Sequence, residues 1–346
     1  MLTALREKRP HEIEARAAAW ALASENISVE PKTNFLRELE EKLWTATTLA
    51  EFAKVFRSLA HNPGVEEWAD RAIDVCGTGG DHSGSYNIST TVAFILAATE
   101  IDIPVFKHGN RAITSQSGSA DFLLANGIPL EASDELWRES LRELNFAFFF
   151  APIFHKTFRY INPARKILAA EGKRTIFNLL GPILNPGKPA YQLVGVFNAA
   201  SATLMRDALV QLDSQAMVVH CELPDKSGLD ELSTAGENIA FQVHKSKLYG
   251  GRLTTTDTGL PLGSLNDLQG ADASSNLALL NALLEGRAND GLINTVCLNA
   301  GAALWMAGEI ADLKIAITEA KKLLTGGPVR DWLKRARGFF QDHKSP

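Results

Sequence analysis

Cysteine is scarce: the 346 residues include three, Cys76, Cys221 and Cys297. The number is odd and no two stand in a CxxC pair. A disulfide framework and a zinc knuckle are therefore excluded as organising devices, and a reducing cytoplasm is expected. A surplus of positive charge is also lacking. With 35 Lys and Arg against 40 Asp and Glu, the net charge is -5. A nucleic-acid binder ordinarily carries a basic excess, so no nucleic-acid partner is expected. Long apolar runs are missing too. The amino-terminal stretch MLTALREKRPHEIEAR is charged throughout and has no apolar signal core. Elsewhere the apolar runs break well short of a membrane span. Neither an internal repeat nor a low-complexity linker is present. These absences point to a soluble cytoplasmic protein with no membrane or nucleic-acid partner.

What remains is an ordinary globular composition, 45% hydrophobic and 22% charged, with length enough for one large core or two domains. Residues 1–70 read as helices. Apolar residues recur at helical spacing in Phe35, Leu36, Leu39 and Leu43, and again in Leu49, Phe52, Phe56 and Leu59. Asn62-Pro63-Gly64 breaks this region. Two strand–loop–helix units then follow in tandem. Residues 72–76 form a strand, 77–86 a loop and 87–96 a capped apolar helix. Residues 103–106 form the next strand, 107–118 a loop and 119–125 the start of a helix. Further strands are expected at 147–150, 193–197, 217–220 and 239–243. The Gly- and Pro-rich stretch 178–187 reads as a structured loop, and helices return after about 270. The expected class is α/β, with a mostly parallel central sheet and helices on its faces.

Both loops carry phosphate-type chemistry. Gly77-Thr78-Gly79-Gly80-Asp81 lets backbone N–H groups approach an anion closely, and the helix opening at Asn87-Ile88-Ser89-Thr90 adds hydroxyls and unpaired amides. The dinucleotide fingerprint is absent because His82 holds its third glycine position, and no Gly-Lys-Ser/Thr follows to make a Walker loop. A tight turn plus a helix cap would use the same residues. The second loop spans Lys107, His108, Gly109, Asn110, Arg111, Ala112, Ile113, Thr114, Ser115, Gln116, Ser117, Gly118 and Ser119. It sets two cations and several hydroxyls between a strand and a helix, which suits a polyphosphate. In an open parallel sheet both loops would open at the carboxyl ends of the strands.

Asp230 and Glu231 are adjacent carboxylates in the sequence GLDELS. In an irregular loop both would reach one magnesium ion, which bridges substrate phosphates and one or two carboxylates; read alone, the pair equally fits a solvated acidic loop. His155 and Arg165 flank Phe158, Tyr160 and Pro163. That mixture suits a small aromatic acid, Arg for its carboxylate and rings for its face, and also suits a helix with a basic outer face.

Taken in order, GTGGD, NIST, KHGNR, SGSAD, FNLLGPILNP and LDELS resemble the anthranilate phosphoribosyltransferase family, and the resemblance runs from about Ile73 to NAGAALWMAG near the carboxyl end. It implies a homodimer whose protomer has a helical domain made of residues 1–70 and about 160–190, with the α/β domain in residues 71–346. It implies transfer of phosphoribosyl from phosphoribosyl pyrophosphate (PRPP) to the amine of anthranilate, with magnesium and release of pyrophosphate, a step of tryptophan synthesis. Carried onto this chain, Gly77, Gly80, Asp81, Ser85, Asn87, Ile88, Ser89 and Thr90 would line the PRPP site. Lys107, His108, Gly109, Asn110, Arg111, Ala112, Ile113, Thr114, Ser115 and Ser119 would continue it. Ser89, Asp230 and Glu231 would hold magnesium. Asn110 and Arg165 would contact anthranilate, with Gly77, His108 and His155 nearby. The resemblance implies no dedicated catalytic nucleophile or base. His82 stands where the family usually has glycine and Gln116 where it has lysine, AAEG lengthens the segment after Arg165, and residues 1–70 keep only an echo of the family pattern in TLAEFAKVFRSLA. Two rivals share the architecture. A pyrimidine nucleoside phosphorylase would lack the acidic pair, and a nucleic-acid-binding relative would show eroded loops and a basic surface.

Overall fold

A computed structural model describes residues 12–39, 44–81, 83–111, 117–244 and 247–343. Among the described residues eight strands make one sheet: β1 (Ile73–Gly77), β2 (Val105–Gly109), β3 (Phe146–Phe150), β4 (Tyr191–Gly195), β5 (Gln215–Glu222), β6 (Gly228–Leu229), β7 (Glu237–His244) and β8 (Lys247–Leu253). Their order is β3-β2-β1-β4-β5-β7-β8, with β6 paired to β5. The first five strands run parallel, and β6 and β7 pair antiparallel to β5, as β8 does to β7. The chain thus winds outward from β1 in one direction, then returns to start again at β4. The boundary between β1 and β4 is the topological switch point, where open α/β sheets place their ligands.

Burial on both faces is written into the strands. Along β4, Leu193 faces one hydrophobic cluster and Val194 the other; along β5, Met217 and Val219 face the first and Ala216 and Val218 the second. This is the period of two that a strand imposes. The first cluster lies under helices Ile88–Ala97, Ser119–Ala125, Asp290–Met306, Leu313–Thr325 and Pro328–Asp342. Asp290–Met306 is buried on nearly every side, as its small and apolar sequence allows. The second cluster joins helix Ala199–Gln211 to helices Glu12–Ala23, Val29–Glu38 and Ala46–Ser58 and to residues 161–184. Phe56, Phe158 and Phe177 pack at 5.3–5.7 Å there, Phe177 edge-on to each of the other two. Lys32, 1% exposed, donates to the carbonyls of Ser24 and Tyr160, tying the early helices to that later segment.

Three local readings of the sequence are corrected. Strand β2 begins and ends two or three residues late, at Val105 and Gly109 rather than within 103–106. Pro104 has no N–H to enter a ladder, so pairing starts after it. Lys107, His108 and Gly109, read as loop, are β2 residues paired with Phe148, Phe149 and Phe150. The stretch 178–187 is not wholly loop, because helix Phe177–Leu180 and a 3-10 turn Gly181–Leu184 occupy much of it. Strand β8 was unforeseen; Gly250 and Gly251 leave it little β-propensity of its own. Among the described residues no helix is long and apolar enough to cross a membrane.

Candidate active site

Strands β1 and β4 end in Gly77 and Gly195, which are register partners. A Cβ on Gly77 would overlap the Asp230 carboxylate, and one on Gly195 would overlap the Asp230 carbonyl. The two bare strand ends therefore let the segment after β6 lie across the switch point. Asp230 Oδ2 accepts a hydrogen bond from the Gly79 N–H at 2.6 Å. Gly79 and Gly80 both take left-handed backbone angles, φ +64° and +74°, which glycine adopts without strain. A Cβ on either would meet nothing within 4 Å, so the outer side of the turn is open.

Three carboxylates meet here. Asp81 Oδ2 accepts from the Asp230 N–H at 3.4 Å and from Ser83 Oγ at 3.0 Å. Burial first, then the charges of Asp81 and Glu231, hold the Asp230 carboxyl well above the usual range. Glu231 is pushed up to about 8, chiefly by burial and further by Asp81, against the pull of Lys107 and the Ser89 N–H. Lys107 is 1% exposed and donates to the Val75 carbonyl at 2.5 Å, with Ser89 Oγ 3.5 Å away. Crowded acids of this kind gain from a divalent cation. Among the described residues no three His, Cys, Asp or Glu side chains are set to hold a metal by themselves. Magnesium takes one or two protein carboxylates and draws its remaining ligands from substrate phosphates and water, a pattern that the adjacent Asp230 and Glu231 fit.

Helix Ile88–Ala97 starts beside them. Its N-cap residue, Asn87, does not cap it. The Asn87 side chain donates to the Ser117 carbonyl at 3.1 Å and accepts from Asn276 at 2.8 Å, tying this helix start to the loop before Ser119 and to helix Ala273–Leu284. Ile88 and Thr90 are buried within this start. Ser85 bridges to Gln269. Asn110 and Arg111 are exposed just beyond β2; Ser119 Oγ donates to the Asn110 carbonyl at 3.2 Å, and Arg111 pairs with Asp121 at 3.0 Å. The expected site residues Ala112, Ile113, Thr114 and Ser115 lie outside the described residues, as do His82 and Gln116.

A second group stands behind the carboxyl end of β2. His108 and His155 meet edge-on at 5.2 Å, His155 and Phe158 at 5.7 Å, and Arg165 lies over the Phe177 ring at 5.7 Å. His108 Nδ1 lies 3.2 Å from the Gly181 carbonyl, which makes Nδ1 the protonated nitrogen. His108 Nε2 and both ring nitrogens of His155 are buried with no hydrogen-bond partner. Burial drives the His108 pKa well below its ordinary value, with His155 adding to the effect, and takes His155 down to about 4. The Leu184 carbonyl opposes the shift at His155 without reaching hydrogen-bond geometry. Burial also lowers the Arg165 pKa. Buried polar atoms without partners call for a ligand or for water. Expected together, His108, His155 and Arg165 do join one aromatic row, whereas Gly77 belongs to the Asp230 cluster.

Three contributors were missed in the sequence. Asp74 interrupts an apolar strand and accepts from Asn185 Nδ2 at 2.9 Å and from the His108 N–H at 3.3 Å. Asn185 also donates to the Phe106 carbonyl at 2.7 Å, so these two residues pin β1, β2 and the Gly181–Leu184 turn together. A carboxylate in mid-strand was the available signal. Arg174 donates to the Gly80 carbonyl at 2.7 Å across 94 residues, and nothing in its local sequence marks that contact.

Residues 69–329 match the model of the glycosyl transferase family, a/b domain. The chain is 36% identical to an anthranilate phosphoribosyltransferase of Halalkalibacterium halodurans over 86% of its own length and 84% of that protein. Identity is 39% to the enzyme of that name from Shouchella clausii, over 84% of this chain and 82% of the other. Among solved structures, anthranilate phosphoribosyltransferase from Thermus thermophilus superposes with a TM-score of 0.86 at 36% identity, covering 96% of both chains. The Saccharomyces cerevisiae enzyme, solved in complex with PRPP and Mg, shares the fold at a TM-score of 0.79 and 20% identity over 99% of this chain and 98% of that one. With such identity sustained over most of both lengths, the chain belongs to the anthranilate phosphoribosyltransferase family.

Proposed function

We propose that this chain transfers the phosphoribosyl group of PRPP to the amino group of anthranilate, releasing pyrophosphate, in tryptophan synthesis. One observation carries the reading beyond family membership. At the switch point, an open Gly79–Gly80 turn, the start of helix Ile88–Ala97, a buried Lys107 and the Asp230–Glu231 pair converge, and a row with three unpartnered imidazole nitrogens and Arg165 lies behind the end of β2. The first set suits a polyphosphate and the second a small aromatic acid.

The C1–O bond to pyrophosphate breaks and a C1–N bond to anthranilate forms. The arylamine is neutral at pH 7 and needs no strong base; the proton it sheds after attack passes to water. His108 and His155 stay uncharged at that pH and so can accept or donate a hydrogen bond without presenting a second cation. Arg165 would take the acceptor carboxylate. The glycine turn and the amides at Ser89 and Thr90 would hold the donor phosphates in line, so that catalysis rests on positioning and on fixed dipoles. Magnesium would be held by Ser89, Asp230 and Glu231 and would supply neutralising charge to the departing pyrophosphate.

A homodimer, a cytoplasmic location, and a helical unit of residues 1–70 with about 160–190 beside an α/β unit of 71–346 belong to the same proposal. Product analysis by mass spectrometry tests it. PRPP and anthranilate should give phosphoribosyl anthranilate, and a pyrimidine nucleoside with phosphate should give no ribose 1-phosphate. The opposite pattern would overturn the assignment in favour of a phosphorylase.

A further inference from the structure

Arg174 sits between helices Asn162–Ala170 and Phe177–Leu180, on the segment that also carries Arg165, yet it reaches the donor loop. Its Nη2 donates to the Gly80 carbonyl at 2.7 Å. Its guanidinium lies 4.1 Å from the ring centroid of Phe197, a buried residue just past β4. The ring acts as a shelf under the guanidinium carbon. The Gly79–Gly80 turn is thus gripped from two sides, Asp230 accepting from the Gly79 N–H and Arg174 donating to the Gly80 carbonyl. Both glycines are left-handed and face open space, so neither packing nor side chains of their own fix the turn. Without Arg174 the Gly80 carbonyl is free to swing toward an incoming anion, where its dipole repels phosphate. Only one of five guanidinium donors is spent on Gly80, and the group's positive charge lies beside the phosphate loop.

We propose that Arg174 is a positioning residue for the donor: it locks the Gly79–Gly80 turn in its phosphate-receiving conformation and links that turn to the segment bearing Arg165. The inference rests on the assignment of PRPP as donor. Arg174→Ala and Arg174→Lys, each checked for an unchanged melting temperature, would be compared with the parent chain in steady-state kinetics. Losing one charge-assisted hydrogen bond should raise KM for PRPP roughly tenfold or more in Arg174→Ala. KM for anthranilate should change much less, and Arg174→Lys should recover only part of the loss because it lacks the planar fork. Phe197→Leu, which removes the shelf and keeps the arginine, should shift KM for PRPP in the same direction by a smaller factor. An unchanged KM for PRPP in a folded Arg174→Ala, or equal rises for both substrates, would overturn the proposal. Absence of turnover in the parent chain would instead overturn the assigned reaction. Arg174 would then be judged by calorimetric titration with PRPP and magnesium, where equal affinities of parent and variant would overturn its role.

Discussion

Gly77 has no side chain where the Asp230 carboxylate lies. Glycine is needed there for space, since Gly77 is not among the left-handed residues. Gly77→Ala should push Asp230 off the switch point. A displacement of about 1 Å at a reacting site can cost on the order of 100-fold in rate, and a loss of that order in kcat/KM, with a raised magnesium requirement, is expected from kinetics across a magnesium titration. Wild-type magnesium dependence in Gly77→Ala would remove Asp230 from the site. His155 gives a second test at the level of one residue. Its folded pKa of about 4 lies below the ordinary 6.5, so between those pH values the unfolded chain holds a proton that the folded chain does not. Stability contributed by neutral His155 is present above pH 6.5 and is lost as pH falls toward 4, by up to about 3 kcal/mol. Urea unfolding of His155→Gln from pH 7 to 4.5 should therefore show a shallower acid decline than the parent. Parallel declines would show that His155 is not held neutral.

Strand β2 and the turn Gly181–Leu184 show how a site is assembled from elements and why that was hard to read. Asn185 donates to Asp74 and to the Phe106 carbonyl, and its own side-chain oxygen accepts from the Gly187 N–H at 2.9 Å. Asn185→Ala should leave buried acceptors unpaired, each costing about 1–3 kcal/mol, and should loosen the Gly181 carbonyl that fixes the His108 tautomer. Chemical denaturation should show that loss, together with a higher KM for anthranilate; full stability would contradict the network. The motif KHGNR was legible as chemistry, but its first three residues, Lys107 to Gly109, were misread as loop. Lys and His ordinarily mark surface, and here the Val75 and Gly181 carbonyls accept from Lys107 Nζ and His108 Nδ1 inside a strand. The capped helix start was half right. The helix begins at Ile88 as its pattern required, but Asn87 spends its side chain on Ser117 and Asn276, partners 30 and 189 residues away that no local rule reveals.

The arrangement of the whole molecule followed from periodicity more fully than its contacts did. Tandem strand–loop–helix units correctly implied a largely parallel sheet with loops at one edge, because a parallel strand must be followed by a crossover. The antiparallel β7–β8 ribbon was only half foreseen: the glycines of β8 give no strand signal, and β7 supplies the pairing that makes it one. The acidic pair needed the fold most. Asp230 and Glu231 lie 153 and 154 residues beyond Gly77 in sequence, and only the return of the chain through β4, β5 and β6 sets them over the ends of β1 and β4. The central claim is that the loops and acids gathered at that switch point carry out one magnesium-dependent transfer. The direct measurement follows anthranilate fluorescence in a mixture of the protein, PRPP and magnesium chloride. The account predicts a fall that needs all components and stops on addition of a chelator. A signal that holds steady while PRPP is demonstrably bound would contradict anthranilate as the acceptor, and a fall that persists in excess chelator would contradict the magnesium role of Asp230 and Glu231.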